Sequence, residues 1–189
     1  MKSTTRNITN GVDTDRLKET VAAVKASPKM GGFKFRIENR WIHGGENRSQ
    51  ALAFSGGGKE IKHKATFAIV ADEPEMLLGN DRAANPVEYL LHALASCITT
   101  SMVYHAAARG ITIERVESEL EGDLDLQGFL GLDPSVRNGF QQIRLKLRIK
   151  ANATDEELQD LSRLGPTFSP VFDSITKGVP VSVSSERMK

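Results

Sequence analysis

The sequence predicts an α+β protein in which antiparallel sheets surround one long central helix. Two observations carry this expectation. Residues Asn85 to Gly110, NPVEYLLHALASCITTSMVYHAAARG, are mostly apolar and bounded by helix start and stop signals. On either side lie short segments whose apolar residues alternate with polar ones, the mark of strands rather than helices. The order is strands, long helix, strands, two shorter helices and a last strand, which is not the alternating βαβ pattern of a parallel sheet.

Each element can be justified in turn. Residues 1 to 12 are polar and are expected to be frayed. Asp13 to Ala26 place Leu17, Val21 and Val24 at helical spacing, ending before Ser27-Pro28. Lys29 to Gly32 read as a linker, so residues 1–32 are taken as an N-terminal extension with one helix, ahead of a domain over 33–189. Phe33, Phe35 and Ile37 alternate with charged residues as one half-buried strand that Trp41 extends toward a turn at His43-Gly44-Gly45. Ala51 to Phe54 give a second strand, and Gly56, Gly57 and Gly58 a hairpin turn. Ile61, His63, Ala65, Phe67 and Ile69 alternate as a third. Asp72 to Ala84 connect to the long helix.

That helix has Asn85 as N-cap, Pro86 at its first position and Glu88 placed to close a capping box. Gly110 follows Arg109 as a C′ glycine should. Its apolar residues recur on nearly every turn, so burial nearly all round is expected. Ile111 to Leu126 read as a strand with a bulge or bend near Gly122, and Gln127 to Asn138 as a loop. Ile143, Leu145, Leu147 and Ile149 alternate with Gln142, Arg144, Lys146, Arg148 and Lys150 as a strand with one basic, solvated face. Thr154-Asp155-Glu156-Glu157 is a capping box that opens a helix stopped by Gly165-Pro166. Ser169-Pro170 opens a shorter helix to about Lys177. Val179, Val181 and Val183 give the last strand.

Composition narrows the class. The net charge of +1 points to neither nucleic acid nor an anionic membrane surface. A single cysteine, Cys97, excludes an intrachain disulfide framework and suits a reducing compartment. No apolar run has signal-peptide or membrane-spanning character, so a cytoplasmic location is expected. His43, His63, His92 and His105 lack metal-ligand spacing, and the glycine runs lack the Lys-Ser/Thr of a phosphate loop. Neither a metal nor a cofactor is expected.

A lone mid-helix cysteine is ordinarily a small buried hydrophobe. The residues around Cys97 say more. Asn85-Pro86 opens the helix, Cys97 follows about three turns in, and Ala106-Ala107-Ala108-Arg109-Gly110-Ile111 trails it. Downstream come Glu121-Gly122-Asp123-Leu124-Asp125, Gly139-Phe140 and Phe168-Ser169-Pro170-Val171. This set resembles the OsmC/Ohr family, small dimeric proteins, many of which reduce organic hydroperoxides with a pair of cysteines. The resemblance covers about residues 33 to 186.

The resemblance implies an OsmC-like fold, an interlocked homodimer with the long helices between sheets, and Cys97 as candidate peroxidatic thiol near the subunit interface. It also marks three departures. The family's second cysteine falls at Ser169, which caps a helix but cannot form a disulfide. The glutamate found ten residues before the helix cysteine falls at Val87, while Glu88 faces elsewhere, because one residue rotates about 100° around a helix. The family's arginine has no unambiguous match, and Arg82 and Arg48 are the candidates.

On the long helix, Thr100, Ser101, Tyr104 and His105 lie toward Cys97 and are more polar than Leu90, Ala93 and Leu94 before it. Ser101, Tyr104, His105 and Ser169 are therefore the candidate substrate contacts, against a plain packing face with satisfied hydroxyls. Two functions remain open. One is single-cysteine reduction of an organic hydroperoxide, with an external thiol resolving the sulfenate. The other is non-catalytic binding of a small apolar molecule in the pocket near Cys97.

Overall fold

The computed structural model describes residues 6–188 and divides the chain into two compact units, one up to His92 and one from Ala93 onward. The long helix crosses the division. The expected boundary after residue 32 is not where the contacts divide the chain.

The first unit opens with a hairpin, β1 (Ile8–Thr9) and β2 (Val12–Asp13), in the segment expected to be frayed. Asn10-Gly11 turns it with φ of 53° and 76°, the pair of positive angles that a two-residue hairpin turn demands. Residues 1–5 of that segment lie outside the described residues. Helix α1 (Thr14–Ala26) follows, its first turn capped by the Asp13 carboxylate, which accepts from the Arg16 N–H. A 3-10 turn over Pro28–Gly31 replaces the expected linker.

The single strand expected from Phe33 through Trp41 is two strands in two sheets. β3 (Phe33–Lys34) joins β6 (Phe54–Gly56) and β7 (Lys59–Ile61). β4 (Ile37–His43) joins β5 (Glu46–Ala51) and β8 (Ala68–Ala71). The chain crosses from one sheet to the other at Arg36, whose guanidinium donates to the Ala53 carbonyl and pairs with Glu60. The expected Ala51–Phe54 strand is divided at the same level. Between Ile61 and Ala68 the expected strand is interrupted where His63 is drawn between the rings of Phe54 and Phe67, at 5.2 and 5.1 Å. Nor are Phe33, Phe35 and Ile37 half-buried: all three are exposed in the single chain. Among its described residues the first unit fully buries no large apolar side chain; its buried side chains are Thr14, Glu46 and Asp72.

Helix α2 (Pro86–Ala108) has the ends its sequence requires. The Glu88 N–H donates to Asn85 Oδ1 at 2.9 Å, and the Asn85 N–H donates to Glu88 Oε2 at 2.8 Å. At the other end Gly110 takes φ +75°, and the Ile111 N–H reaches back to the Ala106 carbonyl. Burial nearly all round is corrected: only Leu94, Ile98, Met102, Ala106 and Ala107 are buried in the single chain. His92, Ser96, Thr100, Tyr104 and Ala108 form an exposed stripe at four-residue spacing.

The second unit carries the apolar core. Met102, Ala106, Ile111 and Leu161 form its centre, with Ile113, Val116, Ile149 and Leu164 packed around them. β9 (Ile113–Asp123) pairs antiparallel with β10 (Gln142–Ala151). The irregularity lies at Lys150/Ala151, not near Gly122 as expected. Gly122 instead accommodates the Phe140 ring, which a Cβ there would meet at 2.6 Å. On the other face Arg144 bridges Glu121 and Asp123, Arg148 pairs with Glu119, and Lys150 with Glu114.

The expected loop after residue 126 contains a helical turn, α3 (Leu126–Phe129), capped by Asp125. Helix α4 (Asp155–Thr167) has the expected Thr154–Glu157 capping box but runs past Gly165-Pro166. Pro166 loses one backbone hydrogen bond near the helix end, and packing outweighs that loss. Gly165 lies so close to α2 that a Cβ would meet Ile98 Cγ2 at 3.0 Å and the Ile98 carbonyl oxygen at 3.1 Å. Helix α5 (Pro170–Lys177) follows directly. Val179, Val181 and Val183 are exposed and form no strand, and among the described residues no strand pairs with them.

Candidate functional site

Cys97 stands on neither extreme of α2. Ala93, Cys97, Ser101 and His105 recur every four residues as a half-buried stripe beside the buried one. Thr100 and Tyr104, grouped with them by the sequence reading, belong instead to the exposed stripe, where Tyr104 is 49% exposed. Cys97 is therefore on the border of the core, neither fully buried nor exposed.

His105 ends the half-buried stripe. Its ring lies against Phe168, tilted by 31° with centroids 4.4 Å apart. Burial, with the Arg109 charge one turn later, holds the imidazole below its ordinary pKa. It is thus neutral at pH 7. Arg109 itself is turned to Asp160 in an ion pair.

Ser169, next to Phe168, is almost completely enclosed at 1% exposure. Its hydroxyl accepts from the Phe172 N–H at 3.1 Å and caps α5. Gly165 sits against Ile98, the neighbour of Cys97, and Ser169 follows Gly165 by four residues, just past the end of α4 as the N-cap of α5. The α4–α5 corner is thereby anchored to the middle of α2 by a contact with no room for a side chain.

The two arginine candidates lie in the first unit, and both point to one carboxylate. Arg48 Nε and Nη2 donate to Glu46 Oε1 at 3.0 and 2.8 Å. Arg82 Nη1 is 3.7 Å from Glu46 Oε2. Glu46 is buried, whereas both arginine side chains are more than half exposed. Asp72 fixes the loop that carries Arg82: its enclosed carboxylate accepts from the N–H groups of Glu73, Asn80 and Arg82. Those backbone donors, that of Glu73 foremost, hold its pKa below the usual range against the opposing effect of burial.

Sequence reasoning missed Glu46 and Asp72. The available signal was local: Glu46 and Arg48 are two apart in a strand and so share a face. Phe168 was read only as part of a motif, and its ring contact with His105 needed the fold. Among the described residues no group of three or more His, Cys, Asp or Glu side chains is placed to hold a metal ion. Among them, too, no helix is long and apolar enough to cross a membrane.

Comparison with known proteins places this geometry. Solved structures share the fold at low identity. An OsmC-like protein from Mycoplasma pneumoniae is 19% identical with a TM-score of 0.58, over 77% of this chain and 89% of that one. An osmotic stress and detoxification response protein from Psychrobacter arcticus is 18% identical with a TM-score of 0.56, over 75% and 88%. The organic hydroperoxide resistance protein OsmC of Legionella pneumophila is 16% identical with a TM-score of 0.51, over 77% and 90%. No curated protein matches significantly by sequence. The family model for OsmC-like protein matches residues 79–184, which include the whole Cys97 helix and the Ser169 corner, and the chain therefore belongs to the OsmC-like family.

Proposed function

We propose that the protein reduces organic hydroperoxides through Cys97 as its single reacting thiol. The observation that carries this reading is the place of the sulfur: on a half-buried stripe of the family's helix rather than among the buried Leu94, Ile98 and Met102. The organic hydroperoxide resistance protein of Legionella shares the fold, which supports the substrate class.

The chemistry is a two-electron oxidation of sulfur. The Cys97 thiolate attacks the outer peroxide oxygen, the O–O bond breaks, and the alkoxide leaves and takes a proton to become an alcohol. Sulfur is left as sulfenic acid. With serine at position 169, an external thiol condenses with it, releasing water and forming a mixed disulfide. A second external thiol then regenerates Cys97. Ser101 and His105, on the same helix stripe as Cys97, are the proposed substrate contacts, with the Phe168 ring against His105.

We also propose an obligate homodimer. Phe33, Phe35, Ile37, Trp41 and Phe67 are all exposed on the first unit, which fully buries no large apolar residue of its own. Sheets of two or three strands need an apolar face covered to be stable. A second copy supplies that cover and closes the exposed side of α2.

Two residues favour the rival reading, a binding protein for a small apolar molecule: Ser169 in place of a resolving cysteine and Val87 in place of a glutamate. Turnover of cumene hydroperoxide with a dithiol reductant decides between them. The reductase reading expects turnover that is abolished in Cys97→Ser. Turnover no greater than that of Cys97→Ser leaves the binding reading.

A further inference from the structure

The sheet of β4, β5 and β8 holds one arginine that Glu46 does not explain. Arg40 on β4 stands directly opposite Arg48 on β5, so the two side chains share a face. Like charges directly opposite one another destabilise a strand pair. Among the described residues Arg40 makes no ion pair within 4.0 Å that would offset this, and Glu38, on the same strand face, does not pair with it. Arg82 reaches the same neighbourhood from its loop. Two guanidiniums thus meet at Glu46, a third arginine stands across the strand pair from one of them, and most of their donors are unused.

The anions present do not neutralise them from outside. Glu46 is buried beneath Arg48 and Arg82 and holds Arg48 with both bonds on one carboxylate oxygen. Asp72 is enclosed, and its oxygens are taken by three backbone N–H groups. These two carboxylates orient the cations from below. Arg48 and Arg82 keep 63% and 68% of their side chains in solvent. The loop bearing Arg82 is fixed as well: the Asp81 N–H donates to the Glu73 carbonyl, and Gly79 approaches that carbonyl too closely for any side chain.

We propose that Arg40, Arg48 and Arg82 form a receptor for the oxyanion group of a small molecule, phosphate or carboxylate. Glu46 is the internal counter-ion that sets the forks of Arg48 and Arg82, and the ligand supplies the counter-charge that Arg40 lacks. Planar guanidinium forks match both oxyanions in bidentate geometry, which ammonium groups do not. The site does not rest on thiol chemistry at Cys97.

The test uses the full chain, with inorganic phosphate and acetate as probes and sodium chloride holding the ionic strength constant. Thermal melting and titration calorimetry read binding. Saturable binding of phosphate, acetate or both is expected, with a rise in Tm that chloride does not reproduce. Phosphate alone indicates a tetrahedral group, and acetate alone a carboxylate. Arg40→Gln should weaken the bound probe roughly tenfold or more, the loss of one charge-assisted contact. Without probe the same variant should melt no lower than the parent, because it removes a repulsion. Absence of saturable binding by both probes overturns the proposal. So does unchanged affinity in Arg40→Gln, or a lower Tm of that variant without probe, which would make Arg40 a structural residue.

Discussion

Replacing Gly165 by alanine sets two calculable effects against each other. Alanine is the better helix former by about 1 kcal/mol in a helix interior, so on local grounds the variant should be more stable. The added Cβ, however, would stand 3.0 Å from Ile98 Cγ2, 3.1 Å from the Ile98 carbonyl oxygen and 3.5 Å from Met102 Cβ. One of these is backbone in the middle of α2 and cannot rotate away. Overpacking of this kind costs roughly 1–3 kcal/mol. The net expectation is destabilisation of up to about 2 kcal/mol. In a chain of this size 1 kcal/mol corresponds to about 2–4 °C in Tm. Urea unfolding with an unchanged m-value gives the sign directly. The same displacement should loosen the Phe168–His105 contact and raise the alkylation rate of Cys97. A Gly165→Ala protein more stable than the parent, with Cys97 alkylated at the same rate, would show that α4 does not bear on α2 as described.

Other consequences follow from the same geometry. Ser169→Cys should keep the α5 cap and, on mild oxidation, form a disulfide with Cys97, seen by non-reducing peptide mapping; a folded variant without it means that the α4–α5 corner lies too far from the sulfur. His105 has a lowered pKa, so the folded state binds fewer protons there than the unfolded state does. Its contribution is fully present above about pH 6.5 and is lost as pH falls through the lowered folded-state value. Unfolding between pH 5 and 7 should therefore be less pH-dependent in His105→Phe than in the parent, and equal slopes would contradict a desolvated imidazole. Light scattering at micromolar concentration should give a dimer mass, and a folded monomer would remove the basis for the interlocked arrangement.

The sequence was most informative where chemistry is local. The Asn85–Glu88 box, Gly110 and the Thr154–Glu157 box are each fixed by residues within four positions, and all took the expected form. Periodicity located β9, β10, α4 and α5. It failed where long-range packing decides. Proline was read as a stop in α4, but the contact of Gly165 with Ile98 carries the helix through it. Alternation predicted half-buried strands over residues 33–69, yet it does not reveal where a chain changes sheet, as this one does at Arg36. The candidate site was legible in the same way. Cys97, Ser101 and His105 share a stripe because helical spacing requires it. The pairing of Arg48 with Glu46 is local, but the approach of Arg82 to the same carboxylate joins residues more than thirty positions apart, and no local pattern encodes that.

The central claim is that Cys97 is a reacting thiol and not a packing residue. Dimedone trapping during mild treatment with cumene hydroperoxide, read by intact mass, tests it most directly. The account predicts one dimedone adduct per chain, located at Cys97, with overoxidation at higher peroxide and no intrasubunit disulfide. A Cys97 that stays unlabelled under conditions that label a known reactive thiol would contradict it.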